Sequence, residues 1–276
     1  MRGLFLASAC VCVLAVGVIC VFLFANGLPF FRAYSPVAFV SGTEWAPLRD
    51  VFGILPMIVG SFYVTFGALL LGAPVGILTA ILMSRFASRP VVRFMKPAVA
   101  LLAGIPSVVY GFFGMIVLVP FVRHAFGGTG KSVLVASILL AIMILPTIIQ
   151  TAEAAISAVP GSYYEGSLAL GATHEGSVFR AVVPAARPGI VSGLVLGIGR
   201  AIGETTAIIM VAGNNPRMPG DILKGVRTLT VNVLMEMGYA ADLHRESLIA
   251  TGVVLFVIVL AINFLFSFIN RRRVQQ

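Results

Sequence analysis

Apolar residues occupy this chain in long runs, and the polar residues fall almost entirely between them. The runs lie near residues 4–25, 55–83, 98–121, 133–156, 189–211 and 248–269. Each is long enough for a helix to cross the roughly 30 Å hydrocarbon core of a bilayer. The second exceeds the minimum, an excess that tilt absorbs. The pattern therefore predicts six transmembrane helices. Between the fourth and fifth lies SYYEGSLALGAT (162–173), where Leu168, Leu170 and the tyrosines make a short amphipathic piece. It is too short to span, and it is expected to lie along the membrane surface with an apolar face open to a partner.

Composition agrees with the pattern. Of 276 residues, 59% are hydrophobic and 11% charged. A soluble domain of this length cannot bury so much apolar surface, so the expected class is an all-α polytopic membrane protein. The net charge of +9 does not point to nucleic acid, because of where it sits. Arg85, Arg89, Arg93 and Lys96 crowd one connection, Arg271, Arg272 and Arg273 follow the last run, and Arg2 precedes the first. With six spans these regions share one side, and lysine and arginine concentrate on the cytoplasmic side. Both termini are thus expected in the cytoplasm; the small loop with Arg123 and Lys131 runs against the trend. The first run resembles a signal peptide but is longer than a signal core and lacks a clear small-x-small site, so an uncleaved anchor is expected. Cys10, Cys12 and Cys20 fall within it and read as small apolar residues.

Two charges interrupt the fifth run. Arg200 and Glu204 lie in GIVSGLVLGIGRAIGETTAIIMV, at a depth where each charge costs about 2.5–3.5 kcal/mol. Ionisable groups there usually face a bundle interior or a wet path, which suggests transport of something charged. The pair is four residues apart and could close within the helix. Arginine before glutamate is the less favourable order, which leaves contacts to neighbouring helices equally open, and a purely structural ion pair remains the alternative. Gly189, Gly193 and Gly197, with Gly199 and Gly203 as a second pair, mark this helix as central and tightly packed. GIPS at 104–107 breaks the third run. Such breaks persist in a membrane only where protein or a wet cavity satisfies the freed backbone. The reading is either a packing kink or a lining of a path, with Ser107 contributing its hydroxyl. GGTGKS at 127–132 imitates a phosphate-binding nucleotide loop, but Ala125 stands where that motif needs glycine, so a turn is expected. No spacing around His124 or His244 suggests a metal, and no cofactor is implied.

The surface loop carries the class signal. Glutamate at 165, glycine at 171 and proline at 184 resemble the cytoplasmic signature loop of bacterial ABC import permeases. Gly166 and Ser167 replace the two alanines of that signature, Ala181 a usual isoleucine and Val183 a usual leucine. Within the superfamily the chain is similar to the phosphate-uptake (Pst) importers through GIPSVVYGFFG (104–114), SLALGAT (167–173), PAARPGI (184–190), GRAIGET (199–205) and RTLTVNVLMEMGYA (227–240). The last segment and the Asn-bearing end of the fifth run look more like the C-type permease than its A-type partner.

The resemblance implies a type I ABC importer fold with a coupling helix. It places an anchor and outer loop at 1–54 and a permease domain at 55–276. It also implies an A-type permease partner, two cytoplasmic ATPases and an extracytoplasmic phosphate-binding protein, in the bacterial inner membrane, with no ATPase site in this chain. Under it Glu165, Leu168, Gly171 and Pro184 couple to the ATPase, while Arg200, Glu204, Ser107 and Thr205 line the substrate pathway. The outer loop at 214–246 would cap the mouth and meet the binding protein, and Arg217, Lys224 and Arg227 would attract anions there. Other oxyanions such as sulfate or molybdate, an ion-coupled secondary transporter, and a signalling scaffold stay open as alternatives.

Overall fold

In the computed structural model, which describes residues 2–274, the chain is helical apart from one two-stranded hairpin. Six helical stretches among the described residues are long and apolar enough to cross a membrane. The first is α1 (Arg2–Gly27), followed by the short helices α2 (Phe30–Ala33) and α3 (Pro36–Ser41). The hairpin strands β1 (Trp45–Ala46) and β2 (Val51–Phe52) pair antiparallel, Trp45 opposite Phe52. Next come α4 (Leu55–Ile81), α5 (Arg89–Gly104), α6 (Ser107–Phe113), α7 (Val119–Phe126) and α8 (Val133–Ser157). The chain continues through α9 (Gly161–Ala169), α10 (His174–Ser177), α11 (Val183–Gly203), α12 (Thr206–Val211), α13 (Leu229–Glu236) and α14 (Asp242–Val274). Residues 271–273, the terminal arginines of the charge pattern, lie on α14, but their side chains fall outside the described residues.

Helix α8 is the spine. Most of its apolar positions are buried, whereas α1 lies at the edge of the bundle, packed on α14. Its Leu139, Leu140, Met143, Ile144 and Ile148 sit in the central cluster. Lipid supplies no hydrophobic drive between helices, so close packing must hold them. Glycine provides it on both flanks. On α4, a Cβ at Gly72 would lie 3.0 Å from the Ala141 carbonyl, and one at Gly76 2.9 Å from Ile148. On α11, Gly193 approaches Thr151 and Gly197 approaches Ile148, at 3.1 and 3.2 Å by the same measure. The expected stripe is thus an interface, but its centre is the fourth span rather than the fifth. Gly199 and Gly203 have nothing within 4 Å and take no part in it.

Two expected spans are displaced by helix breaks. The third run does not continue from 98 to 121: α5 ends at Gly104 because Pro106 has no amide to donate and pushes Ile105 to extended backbone (ψ 126°). The crossing stretch is Ser107–Phe126. The Leu102 carbonyl at the break accepts the Tyr110 hydroxyl at 2.8 Å. In the fifth run, α11 ends at Gly203, Glu204 is extended (ψ 129°), and α12 restarts the helix. The crossing stretch instead reaches back to His174 and runs His174–Gly203. Pro184 therefore does not close the surface loop, which ends at Thr173. Both Pro120 and Pro184 directly follow a wide π turn, closed by Val119 N–H to Gly114 and by Val183 N–H to Val178. A wider turn relieves the clash of the ring with the carbonyl four residues back.

At the hairpin end, Phe30, Phe39, Trp45, Phe52 and Ile54 pack with Met57, Leu229 and Leu248, tying the 28–54 segment to α13 and α14. The opposite end carries α9.

Filling the stripe should weaken the bundle. Gly72→Leu forces volume against the Ala141 backbone and is expected to cost about 1–3 kcal/mol, read as a lower thermal midpoint of the detergent-solubilised protein. Gly199→Ala, in open space within a helix, should leave it unchanged or slightly higher.

Candidate functional site

The α11–α12 break places two charges at two helix ends. Arg200 lies in the last turn of α11, where the dipole favours a cation. Its Nη1 donates to Thr147 Oγ1 on α8 at 3.4 Å, at the long limit of a hydrogen bond. Glu204 does not pair with it: among the described residues no ion pair involves Arg200. The Glu204 carboxylate turns forward instead and accepts the Ala207 amide at 3.0 Å, capping α12. Its carbonyl accepts the Thr230 hydroxyl at 3.1 Å, which ties the break to α13. Thr205 closes the turn, donating to the Gly203 carbonyl at 3.3 Å.

The second break is brought alongside the first. Gly111 of α6 packs on Ala207 and Met210 of α12, and Gly114 packs on Val211. A side chain at Gly111 would sit 3.0 Å from the Ala207 Cα, so glycine sets the approach. Ser107, half-buried, is the first residue of α6. The two interrupted helices thus pack on each other, and half-buried Arg200, in the last turn of α11, makes among the described residues only the long side-chain hydrogen bond to Thr147. A guanidinium carries five donors in a rigid fork, so the arrangement can accept an oxyanion.

The α9 loop forms a separate surface feature. No residue of α9 is buried, and Glu165, Leu168 and Leu170 are exposed, Leu170 at 91%. The helix ends in a Schellman turn: Ala172 N–H bonds the Ser167 carbonyl at 3.2 Å and Gly171 N–H that of Leu168 at 2.9 Å. Gly171 occupies the left-handed position with φ 85°, which a side chain disfavours. Thr173 then caps α10 by accepting the Gly176 amide at 3.1 Å. Glu165, Leu168 and Gly171 are thereby presented together, whereas Pro184 lies beyond α10 and the π turn, in the first turn of α11.

A third constellation, at the hairpin end, was not legible in the sequence. The nearly buried Glu236 accepts Arg227 Nη1 at 2.6 Å and Trp45 Nε1 at 2.9 Å, and its Oε2 lies 2.9 Å from His244 Nε2. Arg227 also reaches Asn232 at 3.0 Å and the Asn214 carbonyl at 3.1 Å. Arg227 is therefore committed to structure and is not a free outer cation. Tyr239, outside the spans, has its phenol held above the ordinary value by desolvation and then by the Glu236 carboxylate, against Arg227. Trp45 and Glu236 lie 191 positions apart, so no local spacing signals the contact.

A family model described as "Binding-protein-dependent transport system inner membrane component" matches residues 72–275. The chain is similar to the probable ABC transporter permease protein YqgH of Bacillus subtilis, 38% identical over 281 residues, covering 99% of this chain and 91% of that protein. It is also similar to the phosphate transport system permease protein PstC of Mesorhizobium japonicum, 33% identical over 273 residues, covering 91% and 83%. Among solved structures it resembles a chain of a bacterial ABC transporter that imports the acidic polysaccharide alginate, with TM-score 0.63 at 17% identity over 97% of this chain and 96% of that one. A chain of the MetNI methionine ABC transporter in inward-facing form gives TM-score 0.60 at 22% identity, over 87% and 98%. At these identities the structures speak to the fold alone.

Glu236→Gln should leave the Arg227 guanidinium, 10% exposed, without its counter-charge. A loss of about 3–5 kcal/mol is expected for breaking such a pair, measured as the midpoint of thermal unfolding. Glu44→Gln, which removes the exposed partner of Arg49, should cause no measurable change.

Proposed function

The chain belongs to the family of binding-protein-dependent transport system inner membrane components, and on that premise we propose that it is the C-type permease subunit of a phosphate importer. It is a multi-pass membrane protein and the permease subunit of an ABC importer; the ATPase is another component. In the proposed assembly this chain pairs with a related A-type permease, two cytoplasmic ATPases and an extracytoplasmic phosphate-binding protein, in a bacterial cytoplasmic membrane. The α9 end and both termini face the cytoplasm, and residues 55–276 form the permease domain behind an anchor and outer loop at 1–54.

The phosphate reading is carried by one observation, the half-buried Arg200 left without a carboxylate at a helix break. A guanidinium binds phosphate oxygens through paired, charge-assisted hydrogen bonds. Passage also requires release, so the site must not hold the anion too strongly. Glu204, committed to the α12 cap, shapes the break and places a negative charge close by that tempers the field. Ser107 and Thr205 supply hydroxyls along the same path. ATP binding draws the ATPases together, α9 with Glu165, Leu168 and Gly171 receives that movement, and the long stretch His174–Gly203, with Pro184 near its base, conveys it towards Arg200. Support for phosphate among oxyanions comes from the PstC relatives.

Uptake of labelled phosphate by phosphate-starved cells, with labelled sulfate as comparator, tests this. Deleting the gene should abolish high-affinity phosphate uptake only. Arg200→Ala should lower uptake about 10–100-fold, the scale of losing charge-assisted hydrogen bonds, with the complex still assembled. Arg200→Lys should fall between. Gly171→Arg adds about 1–2 kcal/mol of left-handed strain in the coupling turn and should fail to restore uptake. Unchanged phosphate uptake in the deletion, or loss of sulfate uptake instead, overturns the substrate assignment.

A further inference from the structure

Helix α9 joins the body of the protein through its two chain ends, through its approach to the turn at 178–182 and through an inward-facing side chain. Its exposed residues include Tyr163, Glu165 and Leu168, while Tyr164 turns inward. The Tyr164 ring packs on the cluster of Ala80, Ile81, Ile156, Val178 and Val182, where α4, α8 and the base of the long helix meet. Its hydroxyl lies 2.7 Å from His174 Nδ1, and the two rings stand nearly perpendicular with centroids 5.7 Å apart. His174 is the first residue of the stretch His174–Gly203. Its ring also meets Phe86, at 4.8 Å edge to face, in the turn that ends the α4 stretch. His174 is therefore clamped between α9 and the end of α4.

The backbone alone makes a poor connection between α9 and α10. It passes through Leu170 and Gly171, both exposed, and nothing lies within 4 Å of where a Gly171 side chain would be. The turn is closed by its own two hydrogen bonds, but nothing packs against it. A side-chain tie from the middle of α9 to the start of α10 triangulates the joint. We propose that Tyr164 and His174 form a strut that makes α9 and the His174–Gly203 stretch move as one body. They are positioning residues that act through the helix on Arg200. Arg200 lies 26 positions beyond His174, about 39 Å along a helix at 1.5 Å per residue. Rotation at the base is then carried to the α11–α12 break instead of being lost at Gly171. The strut rests on the reading that α9 receives the movement of the ATPases, and it names how that movement enters the membrane.

The neutral Tyr–His hydrogen bond has a size that an experiment can read. When His174 carries its proton on Nε2, the Tyr164 hydroxyl donates to Nδ1. Tyr164→Phe keeps the packed ring and removes only that donor; His174→Leu removes the acceptor; His174→Gln returns an amide oxygen to accept it. The complete complex, with partner permease, ATPases and binding protein, is reconstituted in liposomes. Orthophosphate imported and ATP hydrolysed are measured in the same sample. Tyr164→Phe and His174→Leu should each retain the ATPase subunits and hydrolyse ATP, but import about 5–10-fold less phosphate per ATP, the scale of one lost neutral hydrogen bond. The double variant should be no worse than either single one, and His174→Gln should recover most of the ratio. An unchanged ratio in Tyr164→Phe and His174→Leu overturns the strut, as does loss of the ATPase subunits from those complexes, which would make the contact one of assembly. The wild-type complex separates the two levels: if it imports no phosphate on ATP, the reading beneath the strut falls first.

Discussion

Backbone amides and carbonyls facing lipid have no water to turn to, so every interruption of a spanning helix must be satisfied by the protein or by a wet cavity that it lines. This constraint shapes the centre of the molecule. At residues 203–206 the helix stops, and the groups it exposes are taken up by the Glu204 carboxylate, by the Thr205 and Thr230 hydroxyls and by the restart of the helix at α12. At residues 104–107 the Tyr110 hydroxyl does the corresponding work for the Leu102 carbonyl. Because Glu204 is used in this way, Arg200 keeps its charge without a neutralising partner among the described residues. A satisfied backbone and an unsatisfied cation come from the same few residues.

The surrounding bundle keeps that break in place. Helix α8 offers Thr147 to Arg200 and, on its other turns, receives the glycine faces of α4 and α11. Close approach through glycine buries area without bulky side chains, which suits helices that gain nothing hydrophobic by leaving lipid. The α11 stripe fixes the helix carrying Arg200 against the spine, and α12 is fixed in turn by α6 at Gly111. The hairpin end is held differently, by an aromatic cluster and the buried Arg227–Glu236–His244 network with Trp45. Packing at the centre and at the hairpin end contrasts with α9, none of whose residues is buried.

How much of this the sequence discloses depends on the range of the interaction. The six spans are legible because run length alone decides whether a helix can cross. The third-span break is legible in Gly104 and Pro106, whose effects are local, although the separate helix α5 before it is not. The fifth-span break escapes, because Gly203-Glu204-Thr205 reads as one more polar interruption in an apolar helix. Its meaning as a cap appears only once Glu204 is seen to accept Ala207 N–H. Pro184 suggests the end of a loop, yet a π turn lets the helix run through it. The network around Glu236 depends on Trp45, far away in the chain, and no periodicity reports such a pairing. The residues singled out early, Arg200 and Gly171 among them, stand out by type and position; which neighbours they meet is a property of the fold.

On this proposal Arg200 faces an aqueous anion path rather than serving as a structural cation. Aqueous reactivity at that position tests it most directly. Cys10, Cys12 and Cys20 are replaced by serine or alanine, Arg200→Cys is introduced, and its modification by a negatively charged, membrane-impermeant thiosulfonate is timed from each face. The measurement is made in the assembled complex, with and without ATP and phosphate. Reaction from one face is expected without ATP, with a change of accessible face when ATP is bound and slower reaction in the presence of phosphate. A thiol unreactive from both faces in every state, within a complex that still binds its ATPases, would contradict it.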